Sequence, residues 1–103
     1  MKGFGDIQKM VRQAQEMQEQ MQKEMAEMRV EGSSGGGMVT VVLDGQKNMI
    51  SVRLDPEVVN KDDVDMLQDL ILAAANDAGA KVNEFLSQKL GSLGAGLKIP
   101  GLV

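Results

Sequence analysis

Between positions 6 and 29, apolar residues fall at Ile7, Met10, Val11, Ala14, Met17, Met21, Met25 and Met28. Steps of three and four, with one of a single residue, trace one face of a helix and not the alternation of a strand. Gln, Glu and Lys, all good helix formers, fill most of the gaps. Asp6 offers an N-cap, and no Pro or Gly follows until Gly32, so a helix is predicted over 6–29. The stripe approaches a heptad but slips at Glu24, where the apolar position moves to Met25. It reads as a short helical zipper rather than a sustained coiled coil.

The period then changes. Strands are predicted within 30–54: a short one at Val30–Ser34, a second at Met38–Leu43 and a return strand at Met49–Leu54. Val39, Val41 and Leu43 share one face of the second strand, and Ile50, Val52 and Leu54 one face of the third. Gly35-Gly36-Gly37 and Asp44-Gly45 supply the turns. Asp55-Pro56-Glu57 starts a short helical turn at 56–60. A second long helix is predicted over 63–90, with the stripe Val64, Leu67, Ile71, Ala74, Ala78, Val82, Phe85 and Leu86. Asp62, Asp63 and Asp65 lie at its start, where the helix dipole favours acids. Gly79 inside it costs about 1 kcal/mol relative to Ala. Residues 91–103 hold four glycines and one proline and read as a flexible tail. The fold class is α+β: one domain over 1–90, an α-β-β-β-α subunit with a small antiparallel sheet and two long helices.

Helix lengths make a dimer the expectation. At 1.5 Å per residue the helices are about 36 and 42 Å long. A globule of this length has a radius of gyration near 13 Å and a width of roughly 34 Å. The helices overrun it, and their apolar stripes need cover. A homodimer with protruding helical arms supplies that cover. If the helices pack as an antiparallel hairpin, the start of the first and the end of the second share a tip far from the sheet.

The net charge of −4, with a pI of about 4.7, argues at first against a phosphate binder. Its distribution alters that. Residues 1–12 carry net +2 and residues 78–103 net +2, against −3 for 13–31 and −6 for 55–77. The two basic ends are the ones the hairpin would bring together, which makes Lys2, Lys9, Arg12, Lys81, Lys89 and Lys98 the candidate DNA-contacting residues.

Catalysis has little to stand on. With no Cys and no His, the chain lacks thiolate and imidazole chemistry. The pairs Asp62/Asp65 and Glu24/Glu27 read as helix capping and a solvated face, and no catalytic residue, metal or cofactor is expected. The glycine run lacks the Lys-Ser/Thr of a phosphate-binding loop. Phe4 and Phe85 are the only aromatics, too few for base-stacking platforms. The longest apolar run, Leu70–Ala75, is six residues, against about 20 for a membrane span. The N-terminus shows no apolar h-region of a signal peptide, so a cytoplasmic protein without a membrane partner or small-molecule substrate is expected. The nine methionines support a different reading, a protein-binding adaptor with an adaptable Met-rich helical surface.

The order of features resembles the YbaB/EbfC family of bacterial nucleoid-associated proteins. The resemblance is carried by Gln13-Ala14-Gln15-Glu16-Met17-Gln18, Met21-Gln22-Lys23, Val30-Glu31-Gly32, Gly35-Gly36-Gly37-Met38-Val39 and Asp55-Pro56-Glu57. Its most specific stretch runs from Met66-Leu67-Gln68-Asp69-Leu70-Ile71 into Ala73-Ala74-Ala75-Asn76-Asp77-Ala78, and Ile99-Pro100-Gly101 resembles the family's Gly/Pro-rich end. The resemblance implies a homodimer with tweezer-like arms that binds double-stranded DNA, alters its conformation and associates with the nucleoid. It transfers no catalytic residue and no sharp binding motif. Two features depart from the pattern: Gly79 stands where a helix former is expected, and the late helix offers only Lys81 and Lys89, which implies weak DNA affinity.

Overall fold

The computed structural model describes residues 2–97. The elements are α1 (Lys2–Glu27), β1 (Val30–Ser34), β2 (Val39–Leu43), β3 (Met49–Leu54) and α2 (Val64–Leu97), with 3-10 turns at Gly35–Gly37 and Pro56–Val58. This is the α-β-β-β-α order read from the sequence. α1 begins four residues earlier than expected, taking Gly3 and Gly5 into its first turns. α2 continues through Gly91–Leu97, where a tail was expected; Ser92, Leu93, Ala95 and Leu97 separate its glycines, and a helix already formed extends at little cost. The remainder of that tail, 98–103, lies outside the described residues.

Local chemistry fixes the joints. Asp63 accepts the Met66 N–H at 3.2 Å, an N-cap for α2. Asp55 accepts the Glu57 N–H at 2.9 Å and starts the 3-10 turn at Pro56. Gly35, Gly36 and Gly37 all have positive φ (60°, 68° and 93°), a conformation that side chains resist, so the glycine run is what lets β1 reverse into β2. The sheet is antiparallel in the order β1-β2-β3, with a bulge near Val42/Leu43 in the β2–β3 ladder.

α2 lies across one face of β1 and β2. Val39, Val41 and Leu43 from the sheet meet Ala74, Ala78 and Val82 from the helix, with Val30 and Val58 at the margins. The helix sits close to the sheet because of Gly32. A Cβ there would collide with the Ala74 carbonyl oxygen and the Ala78 backbone, at 2.7 Å from the Ala78 Cα. Small residues on both elements thus set the layer spacing.

The two sheet edges differ. α2 caps the β1 edge: Asp77 accepts the Ser33 N–H at 3.0 Å, Lys81 donates to the Glu31 carbonyl at 3.3 Å, and the Ser34 hydroxyl donates to the Leu70 carbonyl. α2 does not pack across β3 beyond isolated contacts. The apolar face predicted for β3 is therefore largely uncovered, with Ile50 45% and Val52 42% exposed.

α1 packs against neither the sheet nor α2 beyond isolated contacts. The antiparallel hairpin with a shared tip, expected from topology, does not form. The radius of gyration is 20.2 Å and the molecule is 74 Å long, against about 13 Å expected for a compact globule and about 51 Å for α2 alone. α1 is an arm.

Candidate nucleic-acid interface

The arm is held at its root and by one ion pair just beyond it, between Glu24 and Lys89 of α2. The Met25 carbonyl accepts the Gly45 N–H at 2.8 Å, joining the last turn of α1 to the β2–β3 loop. A Cβ on Gly45 would stand 2.9 Å from the Met25 Cα, so the glycine permits this approach. Arg29 turns back to donate to the Ala26 and Met28 carbonyls, both at 2.8 Å. Asp44, itself buried, organises the loop by accepting the Gln46 and Asn48 N–H groups at 2.8 and 2.9 Å and the Asn48 amide at 3.0 Å. Burial alone would raise the Asp44 carboxyl, but the donors from Asn48 and Gln46 outweigh it and hold it below the usual range.

The candidate basic residues do not form one cluster. Lys9 and Arg12 lie on the outer half of α1, exposed, and neither forms an ion pair among the described residues. Lys81 lies against the sheet, 3.1 Å from the Asp77 carboxylate. The Ser33 N–H and then Lys81 hold that carboxyl below its ordinary value. Lys89 meets Glu24 at 2.6 Å, and its ammonium lowers the Glu24 carboxyl. Glu24 is 15 positions along α1 from Lys9, about 22 Å at helical rise, so Lys89 does not join the arm's basic pair. The side chain of Lys2 and all of Lys98 lie outside the described residues.

The inner half of the arm is acidic, with Glu16, Glu19, Glu24 and Glu27 around Lys23. The division of charge read from sequence is thus laid out along one helix, basic at the free end and acidic at the root. Asp62, Asp63 and Asp65 assemble no metal site: among the described residues no group of three or more potential ligands is gathered.

Sequence reasoning did not single out a groove between the loop side of β3 and α2, lined by Leu43, Lys47, Met49, Ala75, Gly79 and Asn83. Its signals were the apolar alternation of β3, which one helix cannot cover together with β1 and β2, and Gly79, the departure noted within the late helix. A Cβ added at Gly79 would meet nothing within 4 Å, so no packing inside the subunit accounts for this glycine.

A three-stranded antiparallel sheet backed by one helix, with a long charged arm, defines an α+β protein. A sequence model of the YbaB/EbfC DNA-binding family matches residues 2–97. A nucleoid-associated protein of Geobacillus kaustophilus is 53% identical over 103 residues, covering 97% of this chain and 95% of the relative. Another from Caldanaerobacter subterraneus is 47% identical, covering 97% and 92%. The fold is shared with an uncharacterized protein of Helicobacter pylori, with a TM-score of 0.72 at 20% identity over 87% of this chain and 95% of that one. The chain belongs to the YbaB/EbfC DNA-binding family. Its family and relatives mark it as a nucleoid-associated DNA-binding protein and not an enzyme. Among the described residues no helix is long and apolar enough to cross a membrane.

Proposed function

We propose that the chain acts as a homodimer that binds double-stranded DNA with little sequence preference and alters its conformation, with consequences for nucleoid organisation and gene expression. The observation that carries the DNA reading is the pair Lys9 and Arg12, exposed on an arm that stands clear of the acidic body. Contacts from such residues to phosphates give affinity without reading bases. Lys2 and Lys98 belong to the same set by charge. Lys81 and Lys89 contribute less, because each must leave a carboxylate to reach a phosphate.

The dimer reading is supported by β3. One sheet edge is capped by α2 and the other is bare, and the bare strand carries exposed Met49, Ile50 and Val52. A second copy seated on β3 and the neighbouring flank of α2 would bury these residues.

Changing Lys9 and Arg12 to Glu tests the DNA reading. Gel-shift binding at low salt is lost on several unrelated duplexes while the sizing-column profile is unchanged; retained binding overturns it. For the wild type, log K falls linearly with log salt, by about 0.9 per phosphate contact. The adaptor reading rests on the exposed methionines of α1 and predicts the reverse outcome: no shift at low salt, and recovery of one protein partner.

A further inference from the structure

Both aromatic rings of the chain lie outside the core, and one stands at the free end of the arm. Phe4 is 69% exposed, against 54% for Phe85. Glycines flank it: Gly3 and Gly5 lie inside α1, although only Pro is a poorer helix former than Gly. A Cβ on either would meet nothing within 4 Å, so no packing inside the subunit accounts for them. Bare backbone suits close approach to a ligand. The tip presents one ring with no side chain on its neighbours in sequence.

The charge around the ring names the class of ligand. At about 100° per residue, Phe4, Gln8 and Arg12 form one ridge that turns by about 40° per step, and Lys9 lies about 60° beyond Arg12. Phe4 thus stands where the apolar stripe borders the basic face. Asp6 is the only acid among residues 1–12, and it lies about 120° from Arg12 and about 160° from Phe4. Along the axis, Lys9 is about 7.5 Å and Arg12 about 12 Å from Phe4. At about 3.4 Å per base step, these spans match about two and about three to four steps of a duplex.

We infer, building on DNA binding through Lys9 and Arg12, that Phe4 is the wedge by which the arm bends DNA: its ring enters a base step from the minor groove while the two cations hold phosphates a few steps away. Apolar side chains inserted in this way unstack the step and kink the duplex by about 20–90° toward the major groove. Insertion reads deformability and not base edges, so the flexible pyrimidine–purine steps are favoured. One ring suffices for a wedge, whereas a platform for single strands stacks successive bases on several. A membrane surface suits the ring less well. Four basic and five acidic residues leave α1 slightly negative, whereas surface-binding helices are rich in Lys and Arg on the polar face.

The chain has no Trp and no Tyr, so Phe4→Trp carries the only indole and reports the insertion directly. The probe is a duplex of about 25 bp with one central TA step, at low salt. The expected result is that the duplex quenches the Phe4→Trp emission by more than about twofold, as stacking on bases requires, while Phe85→Trp on α2 changes little. Equal quenching of the two, or quenching by anionic vesicles and not by the duplex, overturns the inference. Bending is read as energy transfer between dyes on the two ends of the same duplex, at saturating protein. Wild type and Phe4→Leu shorten the end-to-end distance, and Phe4→Ala leaves it at the free value. The affinity of Phe4→Ala stays within about threefold of wild type, because phosphate contacts carry it. All of these proteins melt alike, since Phe4 lies outside the core. Wild-type binding without bending, or equal bending by Phe4→Ala, overturns the wedge and leaves the DNA reading standing. Absence of wild-type binding to the duplex at low salt overturns both.

Discussion

Val41 and Met17 both belong to regular apolar stripes, yet Val41 has no solvent exposure and Met17 is 69% exposed. In the body, the stripe of β2 meets the stripe of α2 across a spacing set by Gly32, and the pattern closes on itself. In the arm, a pattern of equal regularity stays exposed from Ile7 to Met21. The comparison teaches that periodicity fixes which face of an element is apolar but not which molecule covers it. The stripes of β2 and α2 answer to stability, whereas the outer stripe of the arm lies outside the core.

The largest contrast is between two glycines. Gly32→Ala drives a methyl into the backbone of α2 at Ala74 and Ala78, and backbone has no rotamer by which to yield. We expect a loss of at least about 3 kcal/mol, which lowers the melting temperature by more than about 10 °C. Gly5→Ala, in the arm, meets nothing within 4 Å. It raises far-UV helicity slightly, since Ala is favoured by about 1 kcal/mol in a helix, and leaves the melting of the body unchanged. Equal effects at the two sites would show that arm and body fold as one unit.

A smaller contrast uses side-chain truncation. Val41→Ala removes a fully buried side chain from the centre of the core and costs about 2 kcal/mol in a urea titration. Met17→Ala, on the exposed stripe, changes stability by less than about 0.5 kcal/mol. A large loss at Met17 in dilute protein would mean that α1 packs on its own subunit in solution.

The same division explains what was legible in the sequence. The alternation at Val39, Val41 and Leu43 and the helical spacing of Ala74, Ala78 and Val82 name the core directly, because both partners lie in the chain. The turn at Gly35–Gly37 and the starts at Asp55 and Asp63 were legible because their chemistry is local. The relation between the long helices was not. Spacing shows that Ile7–Met28 and Val64–Leu86 are stripes, but the hairpin required them to face each other. In the structure α2 spends the middle of its stripe on the sheet, leaving Phe85 54% exposed beyond it, and α1 leaves along its own axis. The basic residues followed suit: Lys9 and Arg12 lie on the free arm, while Lys81 and Lys89 are drawn to Asp77 and Glu24. The Lys89 pairing is long-range, and no sequence pattern announces it.

Acid should weaken the body through its loop and its capped edge. The folded pKa values of Asp44 and Asp77 are depressed, so their contribution is present above the ordinary carboxylate range near pH 4 and is lost as the pH falls through the folded values. The melting temperature of the wild type therefore drops on acidification from about pH 6 to about pH 3. Asp44→Ala starts lower, because the Gln46 and Asn48 donors have lost their acceptor, and drops less over the same range. An unchanged pH slope in Asp44→Ala would remove Asp44 from this account.

The smallest effect is expected where arm and body touch through charge alone. Glu24 and Lys89 are both about half exposed, and exposed pairs contribute little to folding because water and salt screen them. Lys89→Ala should leave the melting temperature unchanged. The pair nevertheless links α1 to α2 beyond the hydrogen-bonded root at Gly45 and Met25, so its loss widens the range of arm directions. Small-angle scattering should report this as a change in the longest dimensions with the same body, and about 1 M salt, where the Debye length is about 3 Å, should reproduce it in the wild type. Glu24→Gln should behave like Lys89→Ala, and the double variant no worse than either, since both remove one contact. Additive effects from the two substitutions would show that each side chain restrains the arm through a different neighbour.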